Sequence, residues 1–112
     1  MGLAPRARAY NGPMDGKPVD RYLRMLRQHF PELAEKYQVS SLEVFGSYVR
    51  NEQTPESDLD VLVTFERAPG LFEFIDLKDR LSDILGLKVD LVMKTALKPR
   101  LEKRILHEAI AV

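Results

Sequence analysis

A stretch near the middle of this 112-residue chain, reading FGSYVRNEQTPESDLDVLV, constrains the fold more than any other. Gly46 and Ser47 end one apolar segment, ten residues follow, and Asp58-Leu59-Asp60 opens a second apolar segment. Both apolar segments are rich in β-branched and large apolar residues, which favour strands. The sequence therefore predicts two short strands with a polar connection between them.

The residues at the two ends of this connection have side chains suited to binding phosphate and a metal ion. Asp58 and Asp60 are two positions apart, so on a strand they point to the same face. Two such carboxylates suit Mg²⁺ or Mn²⁺, which take one or two carboxylates and fill their other positions with water and phosphate oxygens. Gly46 permits a close backbone approach, and the Ser47 hydroxyl can donate to a phosphate. This pattern indicates transfer of a phosphoryl or nucleotidyl group.

Length and charge limit the other function classes. The chain is long enough for one hydrophobic core and not for two. Seventeen basic and seventeen acidic residues balance, which disfavours general binding of nucleic acid through its phosphate backbone. The chain has no cysteine, and it has no apolar run of the roughly 20 residues that a membrane span needs. We therefore expect a cytoplasmic, single-domain protein that does not enter a membrane.

The first part of the chain is expected to combine a tail with helices. Residues 1–19 are rich in glycine and proline and are predicted to form a flexible tail, so that the domain covers residues 20–112. Asp20 is a good N-cap for a helix that runs to about His29. Pro31 suits the first position of a second short helix that reaches Tyr37.

The second half predicts a helix, a third strand and a last helix. Apolar residues from Phe74 to Leu85 recur at helical spacing, and Gly86 follows as a typical helix end. The third strand, Leu87–Met93, places Asp90 where it can reach the first two aspartates if the strands are neighbours. In the alternative interpretation, Asp90 is only a charged residue at the edge of a strand. A last helix begins at Pro99, and Ile110-Ala111-Val112 either completes the core or docks a partner.

These elements together predict an α/β (α+β) fold with a small mixed β-sheet and helices mainly on one face. The Gly-Ser pair, the ten-residue gap and Asp58-x-Asp60 resemble the signature of the DNA polymerase β-like nucleotidyltransferase superfamily. From Leu42 onward the chain resembles the minimal nucleotidyltransferases, or MntA-like antitoxins, which are encoded beside a HEPN-domain partner. Arg50 stands where that family usually has an arginine, and the Asp90 segment resembles the strand with its third carboxylate.

The resemblance implies a polymerase β-like core with a defined set of site residues. Three carboxylates are implied to be catalytic and to hold one or two Mg²⁺ ions: Asp58, Asp60 and Asp90. Three residues are implied to bind the triphosphate of ATP, which is the substrate: Gly46, Ser47 and Arg50. For Arg50 the residues leave a second interpretation open, in which it pairs with Glu52 or Glu56.

The resemblance also implies a function, the transfer of AMP from ATP to a tyrosine hydroxyl of a HEPN toxin, which neutralises the toxin. A chain of 112 residues leaves little room for an acceptor-binding domain, so we expect another protein to present the acceptor. Two alternatives stay open. In one, the chain is an antitoxin that neutralises its HEPN partner by binding alone. In the other, it is a small-molecule nucleotidyltransferase that acts as a homodimer.

Overall fold

The computed structural model describes residues 8–9 and 16–112 of the chain. In that part it has five strands, three α-helices and one 3₁₀ turn, Lys94–Ala96. The strands are β1 (Arg8–Ala9), β2 (Val39–Phe45), β3 (Leu59–Phe65), β4 (Val89–Met93) and β5 (Ile110–Ala111). The helices are α1 (Pro18–Tyr37), α2 (Leu71–Leu85) and α3 (Pro99–Glu108).

The five strands form one mixed sheet in the order β1-β5-β2-β3-β4. The central pair β2 and β3 is antiparallel, and β4 lies parallel to β3 on its other side. On the opposite edge β5 pairs antiparallel with β2 and parallel with β1. The predicted mixed α/β sheet is therefore confirmed.

The helices lie on both faces of the sheet, with two of the three on one face. Because side chains alternate along β3, Val61 and Leu62 point to opposite faces. Val61 belongs to the main core with residues of α1 and α2, such as Leu26 and Leu77, all fully buried. Leu62 belongs to a smaller cluster with Ile105 of α3. The helices are thus mainly on one face, as predicted, and α3 covers part of the face that carries Asp60.

α1 is a single helix, so the prediction of two helices divided near Pro31 is wrong. A proline inside a helix removes one backbone hydrogen bond and costs about 3 kcal/mol. The apolar stripe nevertheless continues through this position, because Leu26 and Leu33 on either side of Pro31 are both fully buried. Burial of both halves of one helix on the same sheet offsets the local cost.

The start of α1 also differs from the prediction, because the helix begins at Pro18 and Lys17 occupies the N-cap position. Asp20 is the third residue of the helix, and its carboxylate accepts the Lys17 N–H at 3.1 Å. Of the predicted flexible tail, residues 1–7 and 10–15 lie outside the described residues. Arg8 and Ala9 pair with β5.

The end of the chain completes the sheet. β5 pairs with β2, and the Val112 N–H donates to the Leu42 carbonyl at 3.0 Å. Ile110 and Val112 also pack against the main core, so the prediction that residues 110–112 complete the core is confirmed. No helix within residues 8–9 and 16–112 is long and apolar enough to cross a membrane.

Candidate active site

The site is built where β3 and β4 lie side by side. The two strands are parallel, and their register places Asp60 directly beside Asp90. Paired residues of neighbouring strands project to the same face, so the two carboxylates meet there. Asp90 is exposed and Asp60 is half-buried. The structure thus brings together two of the three predicted carboxylates through strand register.

Asp60 carries the most strongly perturbed carboxyl group of this region. Burial, together with the negative charges of Asp90 and Asp58 and a side-chain hydrogen bond with Asp90, raises the pKa of Asp60 from 3.8 to about 6. Like charges and burial both disfavour the ionised form of a carboxyl group. Asp58 is therefore close enough to Asp60 for its charge to act on it. All three predicted carboxylates contribute negative potential at this end of the sheet.

The donor chemistry of these side chains fits a magnesium ion. Mg²⁺ binds oxygen ligands and uses one or two carboxylates together with substrate phosphates, in preference to a cage made of protein alone. In the described part of the chain, no group of three His, Cys, Asp or Glu side chains is arranged to hold a metal ion. Two aspartates and a triphosphate would suffice, and the raised pKa of Asp60 marks negative charge that a cation would neutralise.

The Gly46 turn, residues 46–51, lies against the Asp60 carboxylate. Its first residue follows the end of β2, where Phe45 is paired with Asp60. Gly46 has a φ of +86°, and a Cβ added there would overlap the Asp60 Oδ2 atom. The Gly46 carbonyl accepts the N–H groups of Val49 and Arg50 at 3.0 and 3.2 Å, which curls the turn. Only glycine can occupy this position without moving Asp60.

Arg50 and the Gly46 N–H both contact a residue that the sequence did not indicate, Glu108 at the end of α3. Glu108 Oε2 accepts the Gly46 N–H at 2.6 Å, and Arg50 Nη1 donates to both Glu108 carboxylate oxygens at 3.0 Å. Arg50 Nε also donates to Glu52 Oε1 at 2.9 Å, and these bonds raise the pKa of Arg50. The interpretation in which Arg50 pairs with Glu52 is confirmed; its predicted contact with nucleotide stays a prediction.

An ion pair between buried Glu43 and half-buried Lys94 lies on the same face of the sheet, also unanticipated from the sequence. Glu43 of β2 is only 4% exposed and is paired with Leu62 of β3 in the register. Lys94 Nζ donates to Glu43 Oε1 at 2.9 Å, while Glu43 Oε2 has no partner among the described residues. The alternation of Leu42, Glu43 and Val44 places Glu43 opposite to its apolar neighbours, but nothing in the sequence identifies Lys94 as its partner.

Comparison with known proteins agrees with this geometry. A model of the nucleotidyltransferase domain matches residues 26–112, which include the Gly46 turn and all three aspartates. The chain belongs to the nucleotidyltransferase domain family. Protein adenylyltransferase MntA of Thermococcus cleftensis is 48% identical over 88 residues, which are 79% of this chain and 89% of that protein. A Methanocaldococcus jannaschii protein, provisionally named a protein adenylyltransferase, is 48% identical over 97 residues, 86% of this chain and 99% of its own.

Solved structures place this nucleotidyltransferase among the minimal members of the family. One provisionally described as a minimal nucleotidyltransferase has a TM-score of 0.70 and 38% identity, and the match covers 82% of this chain and 94% of that chain. A chain from the complex of the tri-AMPylated Shewanella oneidensis HEPN toxin with MNT antitoxin has a TM-score of 0.50 and 20% identity, over 70% of this chain and 61% of that one. At 20% identity, the second comparison shows only that the two chains share a fold.

Proposed function

We propose that this nucleotidyltransferase is an antitoxin that transfers AMP from ATP, with Mg²⁺, to a tyrosine hydroxyl of a HEPN toxin and thereby neutralises it. The observation that carries the proposal is the strand register that sets Asp60 beside Asp90, with the Gly46 turn against Asp60. A triphosphate and a divalent cation both fit the chemistry of that arrangement. The names of the relatives by sequence support the same activity.

The proposed reaction is an in-line displacement at the α-phosphorus of ATP. The tyrosine oxygen forms a new bond to the α-phosphorus, and the bond from that phosphorus to the bridging oxygen of the β-phosphate breaks. Pyrophosphate leaves with the electron pair of the broken bond. Mg²⁺, when bound, neutralises the triphosphate and the charge that develops on the leaving group. The tyrosine proton passes to a carboxylate of the site.

The side chains divide these roles by position. Asp58 and Asp60 would hold Mg²⁺, because they lie on either side of the first residue of β3 and the negative charge of Asp58 acts on the Asp60 carboxyl group. Asp90 is exposed beside Asp60, so it is placed to complete the metal site and to accept the proton of an incoming hydroxyl. The Ser47 hydroxyl and the backbone of the Gly46 turn would grip the β- and γ-phosphates.

The proposed partner rests on similarity to solved complexes. The fold of this chain is shared by a chain from the complex of a tri-AMPylated HEPN toxin and MNT antitoxin. The toxin of that complex carries AMP groups, which supports a HEPN protein as the AMP acceptor to propose for this chain. The Thermococcus cleftensis relative, at 48% identity, is named for protein adenylylation and covers most of this chain. A HEPN protein from the same organism as this chain is therefore the acceptor to test.

The test is intact-mass spectrometry of that HEPN protein after incubation with this enzyme, ATP and Mg²⁺. The proposal predicts a gain in steps of one AMP, and fragment spectra that place each step on a tyrosine. The control is the double variant Asp58→Ala with Asp60→Ala, which should add no AMP. A parallel reaction with EDTA should also add none.

The binding-only alternative gives a different result in the same experiment. If a stable complex forms and the toxin is silenced, but its mass does not change, the transfer proposal is wrong. Gain of AMP on an added small molecule, with none on the HEPN protein, would favour the small-molecule alternative. A size-exclusion measurement of the enzyme alone then decides whether two copies build that site.

A further inference from the structure

We propose that Glu108 and Arg50 form a clamp that positions the Gly46 turn for nucleotide binding, so that both act on the nucleotide through that turn. This inference rests on the function proposed above. Glu108 accepts the Gly46 N–H at 2.6 Å and two bonds from Arg50 Nη1 at 3.0 Å. One carboxylate therefore holds both the first and the fifth residue of the turn.

The sheet explains why Glu108 reaches this turn. β5 runs antiparallel to β2, and its register pairs Val44 with Ile110. Gly46 comes two residues after Val44, just beyond β2, and Glu108 comes two residues before Ile110, so extension of the register sets them opposite each other. At this position the Glu108 side chain, in place of a backbone carbonyl, accepts the Gly46 N–H. The pairing of β5 with β2 thus fixes the distance between α3 and the turn.

The charges of the clamp are matched to one another. Glu108 is the last residue of α3, where a negative side chain faces the negative end of the helix dipole and is disfavoured. Arg50 supplies the compensating charge, and only 21% of the Glu108 side chain is exposed. Arg50 also bonds to Glu52, so its charge is already balanced by two carboxylates. A guanidinium held in this way is better suited to orienting the turn than to neutralising a triphosphate.

The clamp acts on the geometry that the nucleotide needs. Gly46 lies against the Asp60 carboxylate with no room for a Cβ, so a small rotation of the turn changes the distance between the phosphate-binding backbone and the metal-binding side chains. The carboxylate of Glu108 fixes the orientation of the peptide that joins Phe45 to Gly46. Loss of either clamp residue should therefore loosen the same element.

The experiment is a double-mutant cycle in the full chain, with Mg²⁺-ATP affinity measured by calorimetry. Arg50→Ala and Glu108→Ala should each weaken Mg²⁺-ATP binding about tenfold, the equivalent of about 1.4 kcal/mol. The double variant should also lose about tenfold and not a hundredfold, because both changes remove one unit. Additive losses would overturn the clamp and assign Arg50 a separate contact with the phosphates. Tighter binding by Glu108→Ala would also overturn it, since Glu108 would then compete with the phosphates.

The exchange of Arg50→Glu with Glu108→Arg separates positioning from simple stabilisation. It restores opposite charges between the turn and α3, but an arginine has no acceptor for the Gly46 N–H. We expect the melting temperature to return to within about 2 °C of the original protein while the affinity stays about tenfold weaker. Recovery of affinity together with stability would overturn the positioning role. The matched control is the cycle for Glu32 and Arg80, paired at 2.8 Å between α1 and α2, which should leave affinity unchanged.

A measurement that needs no nucleotide keeps this inference separate from the proposed function. In amide NMR spectra, a short bond to a carboxylate should shift the Gly46 proton strongly downfield, and Glu108→Ala should remove that shift. An ordinary Gly46 resonance, unaffected by Glu108→Ala, would overturn the clamp. If the original protein binds no ATP yet shows the shifted Gly46 proton, the proposed function is wrong, although the contact between Glu108 and Gly46 exists. The role of the clamp in nucleotide binding is then wrong as well.

Discussion

Replacing Asp60 with asparagine should stabilise the metal-free protein while it removes the proposed activity. Asp60 is half-buried, and burial with the charges of Asp90 and Asp58 raises its pKa to about 6. At neutral pH the folded protein therefore carries an ionised carboxylate in a place that opposes ionisation. Asparagine has nearly the same shape and no charge, so it removes this cost.

The magnitude follows from the pKa. A rise from 3.8 to about 6 would correspond to about 3 kcal/mol in a fully shielded site. Asp60 is only half-buried, so solvent screening reduces this to about 1 kcal/mol. The melting temperature of Asp60→Asn should then exceed that of the original protein by about 4 °C at pH 7.5 in EDTA.

The pH dependence has a definite sign. Because the folded-state pKa of Asp60 is raised, the folded protein binds more protons than the unfolded chain between about pH 4 and pH 6. The contribution of Asp60 to the free energy of unfolding is fully present below about pH 4 and is lost as the pH rises through about 6. Asp60→Asn should not show this decrease in the free energy of unfolding with rising pH.

The assay is thermal unfolding of the metal-free proteins across pH 4–8, followed by addition of Mg²⁺. Mg²⁺ should stabilise the original protein and have little effect on Asp60→Asn. Asp79→Asn, at an exposed position of α2, is the matched control and should leave the pH profile unchanged. Equal melting temperatures and identical profiles for Asp60→Asn and the original protein would refute the electrostatic reasoning.

Three further substitutions test individual contacts of the fold. Lys94→Met leaves Glu43, only 4% exposed, as an uncompensated buried charge, so it should lower the free energy of unfolding in urea by about 3 kcal/mol. Adding Glu43→Leu should recover most of this loss, and a loss below about 1 kcal/mol for Lys94→Met would contradict the ion pair. Gly46→Ala forces a Cβ into Asp60 at a φ of +86°, so it should lower both the melting temperature and the rate of AMP transfer. Gly16→Ala, at a position with open space around it, should change neither, and an unaltered transfer rate for Gly46→Ala would contradict the close approach of Gly46 to Asp60. Tyr37→Phe removes the hydrogen bond from Tyr37 Oη to Asp76 at 2.7 Å, so it should lower the free energy of unfolding by about 1 kcal/mol in the same assay. Adding Asp76→Asn to Tyr37→Phe should lower it no further.

The strands of the candidate site could be predicted from the sequence because their signals are local. The apolar segment that follows Asp58 in the sequence forms β3, from Leu59 to Phe65, because polar residues bound it on both sides. The helix that ends at Leu85 was marked by Gly86, which has a φ of +72° in the structure. The proximity of Asp90 and Asp60 required only that β4 lie beside β3.

The remaining features depend on contacts between distant parts of the chain. Pro31 is locally a helix start, and only burial on the sheet keeps α1 continuous across it. The clamp residue Glu108 lies 62 positions from Gly46, and its role follows from the pairing of a two-residue strand, β5, that has no periodic signal of its own. Partners at such separation, like Lys94 for Glu43, are set by sheet register and cannot be identified from local pattern.

The decisive measurement is the single-turnover rate of AMP transfer to the HEPN protein, with ATP labelled at the α-phosphate. We predict that Asp60→Asn lowers this rate by at least about 100-fold while the protein stays folded, and that Asp79→Asn transfers AMP at the original rate. An undiminished rate for Asp60→Asn would contradict the assignment of this carboxylate edge as the site of nucleotidyl transfer.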